Sequence, residues 1–235
     1  MKKSVSIIIP VYNCQDTLEA AIKDVNRIAN KLFDDYELLI FNDHSTDKTG
    51  EVLKRLAKKN SKIKAFHNKK NMNVGYSYRV GIKLAKKNYI MLLPGPDTLT
   101  MESLENYASK LGQADVVASY TGNKKSRLFY RLIISNLASA ALNLLFGLHL
   151  KYYFGQQMYK TSLVKKVKMT TNSFGIYPEI LVRLIKAGHT YKEVPIVALQ
   201  DTISTTAFRI RNIFGIITVV IKLFFEVYFK KTRFF

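Results

Sequence analysis

The chain has 235 residues, and its 37 lysines and arginines outnumber its 17 aspartates and glutamates, so the formal net charge is +20. With 48% apolar residues, 11 glycines, 5 prolines and one cysteine, the composition excludes a collagen-like chain, a low-complexity chain, a disulfide framework and a cysteine-rich zinc site. The positive charge favours polyanionic partners, such as nucleotides, phosphorylated substrates, anionic lipid or nucleic acid.

Strands and helices are predicted to alternate along the first half of the chain. Apolar, β-branched runs predict four buried strands, at residues 4–10, 36–41, 63–67 and 89–93. Apolar residues at three- and four-residue steps predict helices after the first three strands, over 18–32, 49–59 and 78–87. This alternation indicates an α/β fold with a mostly parallel sheet and helices on both faces. The N-terminal MKKSVSIIIPVYN is interpreted as leading into the first strand, not as a signal peptide.

Four polar loops follow the predicted strands, at residues 11–15, 42–48, 68–75 and 94–100. Right-handed crossovers place these loops along one edge of the sheet, where open α/β folds bind their ligands. Neither GxGxxG nor GxxxxGK[ST] occurs in the chain, which disfavours a dinucleotide-binding Rossmann domain and a P-loop NTPase. We therefore expect the functional residues in these loops, without a glycine-rich phosphate loop.

Two apolar segments lie in the second half. Residues 132–150 lack Lys, Arg, Asp and Glu and could span a bilayer of ~30 Å, but their serines and asparagines favour a buried or interfacial helix. Residues 213–229 are apolar nearly all round and have basic ends, which suits a helix at the lipid headgroup boundary. Packing on a partner subunit is the alternative. We predict one domain over 1–207 and a membrane-associating or interface helix over 208–235.

Four sequence blocks carry a family resemblance: SIIIPVYN, LLIFNDHSTDKT, NMNVGYSYRVGIKLAKKNYIMLLPGPD and SFGIYPEILVRLIKAGHTYKEVPI. In this order they resemble the family 2 glycosyltransferases of the GT-A fold, over about residues 4–215. Within that family they look most similar to the dolichyl- and polyprenyl-phosphate mannose synthases. The resemblance implies an inverting, metal-assisted transfer of a hexose from a nucleoside-diphosphate sugar to a polyprenyl phosphate.

The resemblance assigns seven residues to the nucleotide: Pro10, Tyr12, Asn13, Asp43, Asn73, Gly75 and Arg211. Tyr12 offers a stacking face at the end of a strand, and the carboxylate of Asp43 can accept a hydrogen bond from the base or ribose. Asn73 and Gly75 match an N-x-G turn beside the nucleotide. The alternatives are a helix-capping role for Asp43 and an ordinary turn for Asn73 and Gly75.

The metal motif departs from the family pattern. Relatives carry D-x-D or Pro-Gly-Asp to hold Mg²⁺ or Mn²⁺ against the diphosphate, whereas this chain reads PGPD, ending at Asp97. Mg²⁺ often takes only one or two protein carboxylates besides phosphate oxygens, so Asp97 alone is predicted to be the metal ligand. The alternative role of Asp97 is to cap the next helix, predicted over 101–111.

The resemblance implies that a lipid phosphate acceptor contacts Arg131 and Ser135. Together with Arg127 these residues lie at four-residue steps, which places them on one face of a helix. The fork of a guanidinium group suits phosphate, and the serine hydroxyl adds a donor. A solvated basic start of the helix is the alternative interpretation of the arginines.

Three more positions are assigned near the reacting groups. Glu179, in the first turn of a predicted helix, is expected to orient the acceptor or the sugar, although the helix dipole alone explains an acidic residue there. Ser204, Arg209 and Arg211 resemble a segment that closes over the diphosphate, in which Ser204 is assigned to the acceptor. The predicted catalytic residues are Asp97, Arg131, Ser135 and Arg209.

The stretch 151–160, where many relatives have an acidic residue, contains none. An alcohol acceptor needs a general base, but the oxygen of a polyprenyl phosphate is already anionic. The missing base fits this acceptor. The resemblance implies a nucleotide sugar, a lipid phosphate and the cytoplasmic face of a membrane as partners, and we predict no nucleic acid and a possible homo-oligomer. The alternatives are transfer to a polysaccharide hydroxyl, with Glu179 as the base, and a binding protein that has lost catalysis.

Overall fold

The computed structural model describes residues 3–93, 99–123, 129–197 and 210–229, with side chains in the last two ranges described from Leu132 and Ile213 onward. The described residues form seven strands: β1 (Ser4–Val11), β2 (Asp35–Asn42), β3 (Ile63–His67), β4 (Tyr89–Leu92), β5 (Val116–Thr121), β6 (Gln157–Lys160) and β7 (Tyr191–Ile196). They also form helices α1 (Leu18–Leu32), α2 (Thr49–Lys59), α3 (Val74–Leu84), α4 (Met101–Ser109), α5 (Phe129–Phe146), α6 (Thr161–Val164), α7 (Ile176–Lys186) and α8 (Ile210–Tyr228).

All seven strands belong to one sheet, in the order β3-β2-β1-β4-β6-β5-β7. Strands β1 to β4 are parallel where they pair, so that Ile8 of β1 lies between Leu39 of β2 and Leu92 of β4. Strand β6 is antiparallel to both of its neighbours, β4 and β5, and β7 pairs with β5 in the parallel sense. The predicted mostly parallel α/β sheet is confirmed.

Helices cover both faces of the sheet because alternate residues of a strand point to opposite sides. Ile7 and Ile9 belong to the buried cluster formed with α1, α2 and α4, whereas Ile8 belongs to the cluster formed with α3, α5, α7 and α8. On the second face α3 lies close to the sheet, since a Cβ at Gly81 would be 2.6 Å from the Cγ2 of Ile8. Two hydrophobic layers therefore hold in place the carboxyl edge of the sheet, which is the side where the parallel strands β1 to β4 end.

The structure corrects the bounds of two helices and decides between two roles considered for Asp97. The helix predicted over 78–87 ends at Leu84, and the helix predicted over 101–111 ends at Ser109. The helix predicted over 78–87 begins earlier, at Val74, because the backbone N–H of Asn73 is held by the carboxylate of Asp43 and the chain turns there with a φ of 68°. The helix after β4 is capped by Thr100, whose hydroxyl accepts from the backbone N–H of Ser103 at 3.2 Å. The capping role considered for Asp97 therefore belongs to Thr100.

The two apolar segments form α5 and α8. Leu142 and Phe146 of α5 are buried, whereas Leu137 and Leu144 are exposed, so α5 covers the core with one side only. In the part of the chain that the structure describes, no helix is long and apolar enough to cross a membrane.

Candidate active site

The loops after β1 and β2 are joined side by side at the carboxyl edge of the sheet. The side chain of Asn13 accepts from the backbone N–H of Thr46 at 2.9 Å, and its own backbone N–H donates to the hydroxyl of Ser45 at 3.0 Å. In the same loop, just before α2, the carboxylate of Asp47 accepts from the backbone N–H groups of Gln15 and Thr49. Asn13 adopts a φ of 47°, which asparagine tolerates better than most residues. These bonds give the first two loops a fixed mutual position.

Asp47 is ionised more readily than an ordinary aspartate. Burial raises its pKa, but hydrogen bonds from Thr49 and Gln15 favour the charged form and together hold the pKa below its ordinary value. Because Gln15 lies in the loop after β1 and Thr49 is the first residue of α2, the charge of Asp47 strengthens the junction between the two loops.

Asp43 organises the third loop. It is 6% exposed, and its Oδ1 accepts from the Nδ2 of Asn68 at 2.7 Å and from the backbone N–H of Met72 at 2.8 Å. Its Oδ2 accepts from the backbone N–H of Asn73 at 2.9 Å. These partners lie in the loop before α3, not at α2, so the carboxylate shapes the loop after β3 and caps no part of α2.

Pro10 and Tyr12 lie at the carboxyl end of β1, beside the end of β2 that leads to Asp43. The backbone N–H of Asp43 donates to the carbonyl of Val11 at 2.9 Å, which brings the next residue, Tyr12, to the same edge. Tyr12 is 46% exposed, whereas Val11 is buried and Pro10 is half-buried. The structure therefore brings Pro10, Tyr12, Asn13 and Asp43 together, with an aromatic ring accessible from solvent.

Gly75 is pressed against the loop that precedes α7. Its backbone N–H donates to the carbonyl of Asn172 at 3.0 Å, and a Cβ at this position would lie 2.5 Å from the Asn172 carbonyl carbon and the Ser173 oxygen. Only glycine fits such a close approach of two backbones. The N-x-G turn of Asn73 and Gly75 is thus also the place where the two halves of the chain meet at the carboxyl edge.

Glu179 is fully buried and its oxygens are occupied. They accept from the backbone N–H of Thr170 at 3.0 Å and from its hydroxyl at 2.7 Å, while Arg183 lies 3.5 Å away. Arg183 in turn donates to Glu226 of α8 at 2.5 Å. This arrangement fixes the loop before α7 and ties α7 to α8, and it leaves no exposed surface on the Glu179 carboxylate.

The remaining predicted residues lie only partly within the described structure. Ser135 is on α5, half-buried, and its hydroxyl donates to the carbonyl of Leu132 at 3.1 Å. Arg131 and Arg211 are in helices, but their side chains lie outside the described residues. Arg127, Asp97, Ser204 and Arg209 lie outside them altogether. Among the residues that the structure describes, no group of three or more His, Cys, Asp or Glu side chains could hold a metal ion.

Several residues that shape this edge were not singled out from the sequence. Asn68 holds Asp43, Thr170 holds Glu179, and Asn172 supports Gly75. Each lies in a polar loop, where asparagine and threonine are common for reasons of turn geometry alone. The one sequence feature that could have pointed to these residues is their position in the loops before α3 and α7, the helices that carry Gly75 and Glu179.

A family model and several curated proteins match this chain. The model described as glycosyl transferase family 2 covers residues 6–177. The poly(ribitol-phosphate) beta-N-acetylglucosaminyltransferase TarP of Staphylococcus aureus is 29% identical over 181 residues, which are 73% of this chain and 53% of TarP. The Escherichia coli UDP-Glc:alpha-D-GlcNAc-diphosphoundecaprenol beta-1,3-glucosyltransferase WfaP is 27% identical over 148 residues, which are 63% of this chain and 56% of WfaP. The chain thus spans about half the length of these relatives.

Solved structures share the fold. Glucosyl-3-phosphoglycerate synthase from Mycobacterium tuberculosis, in complex with phosphoglyceric acid, superposes with a TM-score of 0.68 at 15% identity and covers 94% of this chain and 79% of that chain. The mannosyltransferase PcManGT from Pyrobaculum calidifontis, in complex with GDP-Man and Mn²⁺, gives a TM-score of 0.64 at 15% identity, with 94% of this chain and 65% of that chain covered. At such identities the likeness establishes the GT-A fold.

Proposed function

Because this chain belongs to glycosyl transferase family 2, we propose that it transfers a hexose from a nucleoside-diphosphate sugar to a polyprenyl phosphate at the cytoplasmic face of a membrane. The observation that carries the proposal is the carboxyl edge itself, where Asp43 holds the loop 68–73 and Tyr12, at the end of the adjacent strand β1, exposes its ring. An aromatic face next to a rigid turn suits a nucleotide base, which binds by stacking and by a few hydrogen bonds.

The donor is a nucleotide sugar in this proposal. Tyr12 stacks on the base, and Asp43 and Asn13 fix the loops on either side of it. Support comes from structures of the same fold: one holds GDP-Man with Mn²⁺, and another, of the mycobacterial synthase, holds UDP with Mg²⁺. The net charge of +20 also attracts a diphosphate to the protein.

Asp97 is the proposed metal ligand, with Mg²⁺ or Mn²⁺ as the ion. The residues on either side of its loop, Leu93 and Leu99, are both buried in the same hydrophobic cluster, at the carboxyl end of β4. Mg²⁺ commonly takes one or two protein carboxylates, with phosphate oxygens and water completing its coordination, so a single carboxylate is a sufficient protein ligand in this proposal. When bound, the ion neutralises charge on the leaving diphosphate, and Arg209 and Arg211 are proposed to assist.

A phosphate acceptor is favoured over a hydroxyl acceptor by Glu179. A hydroxyl needs a general base, and this carboxylate is fully buried, with both oxygens engaged by Thr170 and Arg183. A phosphate oxygen is already ionised and needs no base. We propose that Arg127, Arg131 and Ser135 contact the acceptor phosphate, with Ser204 beside them. The name of the relative WfaP specifies a sugar linked to diphosphoundecaprenol as the acceptor, which supports a lipid-linked acceptor, although the beta-1,3 bond is formed at a sugar hydroxyl.

The second candidate is transfer to a hydroxyl group of a surface polymer. It is favoured by TarP, whose name specifies a poly(ribitol-phosphate) acceptor and whose similarity extends over 73% of this chain. In this case a carboxylate must reach the acceptor hydroxyl, and Asp97 or a rearranged Glu179 would have to provide it.

The test is a transfer assay on the full chain with labelled UDP and GDP sugars, Mn²⁺, and either a short polyprenyl phosphate or a ribitol-phosphate polymer. We expect a lipid-linked sugar with the phosphate acceptor. The Asp97→Asn variant should lose at least 100-fold in rate, whereas Asp24→Asn, a change on the exposed face of α1, should leave the rate unchanged. Transfer to the polymer alone would select the second candidate, and no transfer across all sugars by the folded protein would contradict both.

A further inference from the structure

An apolar stripe on α8 faces away from the protein. It consists of Phe214, Ile217, Ile221 and Phe225, which are 65%, 48%, 53% and 51% exposed. Successive residues of an α-helix advance by about 100°, so these four side chains fall within an arc of about 80°. Four large apolar residues on one arc form a continuous surface, and such surfaces mark interaction sites in folded proteins.

The opposite side of α8 is held firmly by the domain. Val219 and Leu223 are 4% and 1% exposed and belong to the hydrophobic cluster on the second face of the sheet. On the same side, Glu226 pairs with the buried Arg183 of α7. At the C-terminal end of the helix, the hydroxyl of Tyr228 donates to the carbonyl of Leu145 in α5 at 2.9 Å. The helix therefore cannot turn its apolar stripe inward without breaking this packing.

The charges around the stripe are almost all positive. From residue 209 to the end, the sequence contains six cationic residues and one acidic residue, Glu226, which is already paired with Arg183. Lys222 is exposed on α8 next to Ile221, Arg211 lies in the first turn of α8, and the other four cations precede or follow the helix in the sequence. Long cationic side chains beside an apolar surface are the composition expected where a helix lies on anionic lipid.

Four aromatic residues cluster at the C-terminal end of the stripe. The rings of Phe224 and Tyr228 are 5.0 Å apart, those of Phe225 and Phe229 are 5.6 Å apart, and Phe229 is 68% exposed. Aromatic side chains are favoured at the boundary between lipid headgroups and hydrocarbon, where a ring can be buried at one side and hydrated at the other.

We propose that the apolar stripe of α8 docks flat on the surface of an anionic phospholipid bilayer. A second copy of the chain is the other possible occupant, but it also carries a charge of +20, so electrostatic repulsion opposes the association of two copies. An anionic bilayer carries the opposite charge and attracts the protein. The inference does not depend on the proposed function, because lipid binding is measured without a sugar donor or an acceptor.

The position of α8 relates the apolar stripe to the candidate active site. A Cβ at Gly215 would lie 2.6 Å from the Oγ of Ser173, so the N-terminal part of α8 rests directly on the loop before α7. That loop contacts Gly75 at the carboxyl edge. The N-terminal end of the stripe is therefore the end nearer to the candidate active site.

The absence of tryptophan from the chain allows a direct test. In Phe225→Trp the only indole of the protein reports on the stripe, and in Tyr191→Trp it reports on a surface of similar exposure on β7. Vesicles of phosphatidylcholine with 30% phosphatidylglycerol should shift the emission of Phe225→Trp to shorter wavelength, and brominated lipid should quench it. The emission of Tyr191→Trp should not change, and pure phosphatidylcholine should bind at least tenfold more weakly.

A sedimentation assay completes the test. The double variant Ile217→Ser/Ile221→Ser should reduce the fraction bound to the anionic vesicles at least tenfold, whereas Leu84→Ser, at an exposed apolar residue of α3, should not. Both changes are at exposed positions, and circular dichroism checks that the fold is kept. Equal binding by the double variant and the unchanged protein would overturn the proposal. So would a dimer in light scattering that the double variant dissociates, because the stripe would then bind a second copy.

Discussion

The carboxylate of Asp43, at the end of β2, accepts a hydrogen bond of 2.9 Å from the backbone N–H of Asn73, the residue that precedes α3. One side chain therefore determines where the chain turns into the helix, and a φ of 68° at Asn73 is the backbone conformation that this bond supports. In the proposed function, Asp43 also lies beside the nucleotide, so the stability of the loop and the binding of a nucleotide are expected to depend on the same side chain.

Replacing Asp43 with asparagine should lower the stability of the protein and weaken the binding of a nucleotide. The amide nitrogen cannot accept the hydrogen bonds that the carboxylate oxygen receives, and we expect a loss of about 2 kcal/mol in the free energy of unfolding, measured with urea. Calorimetry should show at least tenfold weaker binding of UDP or GDP. His44→Asn is the matched control, because His44 is exposed at a φ of 63°, where asparagine is tolerated. Unchanged stability in Asp43→Asn would show that the loop is held by other contacts.

Replacing Gly75 with alanine should destabilise the protein through a backbone clash. The new methyl group would lie 2.5 Å from the backbone of Asn172 and Ser173, and backbone cannot move aside as the end of a flexible side chain can. We expect a loss of about 2–3 kcal/mol in urea unfolding. Gly122→Ala is the control, with its nearest neighbour at an ordinary 3.4 Å, and should change the stability by less than about 0.5 kcal/mol. Equal effects of the two variants would contradict the close packing.

Breaking the ion pair between Arg183 and Glu226 should cost more than breaking an exposed one. Arg183→Met leaves the buried Glu179 and the partly buried Glu226 without their cation, and we expect a loss of about 3–5 kcal/mol in the free energy of unfolding. The pair of Arg55 and Glu19 is similarly short, at 2.6 Å, but both side chains are about half exposed. Arg55→Met should therefore cost less than about 1 kcal/mol. Similar losses in both variants would contradict the buried state of the first pair.

Asp115 should contribute to unfolding in acid. The hydrogen bond from Lys160 at 2.7 Å, with further bonds from Thr190, lowers the pKa of Asp115 to about 2, below its ordinary 3.8. A depressed pKa in the folded state stabilises the protein above pH 4, and this contribution is lost as the pH falls from 4 to 2. After solvent screening we expect about 1 kcal/mol.

Urea unfolding of Asp115→Asn measures this contribution. Its stability should be lower than that of the unchanged protein at pH 6 and should fall less steeply between pH 4 and pH 2. Asp24→Asn, at an exposed aspartate of α1, serves as the control and should follow the unchanged protein over the whole range. Parallel pH profiles for Asp115→Asn and the unchanged protein would show that the contact with Lys160 does not persist in solution.

The sheet was predictable where its strands are recognisable on their own. β1 and β2 are almost continuously buried, and their apolar runs are visible without knowledge of any partner. β6 was not predicted, because it has only four residues and its antiparallel direction depends on β4 and β5, which are distant in sequence. The start of α3 was misplaced because its first turn contains Gly75 and Ser77, which interrupt the apolar period.

The candidate site, like the sheet, could be predicted only where it depends on residues that are close in sequence. The residues at the ends of β1 and β2 were predicted to lie at one edge, and the structure brings Tyr12 and Asp43 together there. The sequence placed Glu179 in the first turn of a helix, but its burial depends on Thr170 and Arg183, and a linear pattern does not contain that information. Likewise, an asparagine in a polar loop indicates a turn, and only the folded chain distinguishes Asn172, which supports Gly75, from the others.

The place of β6 in the sheet has a consequence for synthesis on the ribosome. β1 to β4 can pair as soon as residue 92 has emerged, but the outer edge of β4 has no partner until β6 follows, more than sixty residues later. An open strand edge is a template for pairing with other nascent chains. We expect the half-made protein to be the form most prone to aggregate and most in need of a chaperone, and a truncation after residue 150 should therefore be far less soluble than the full chain.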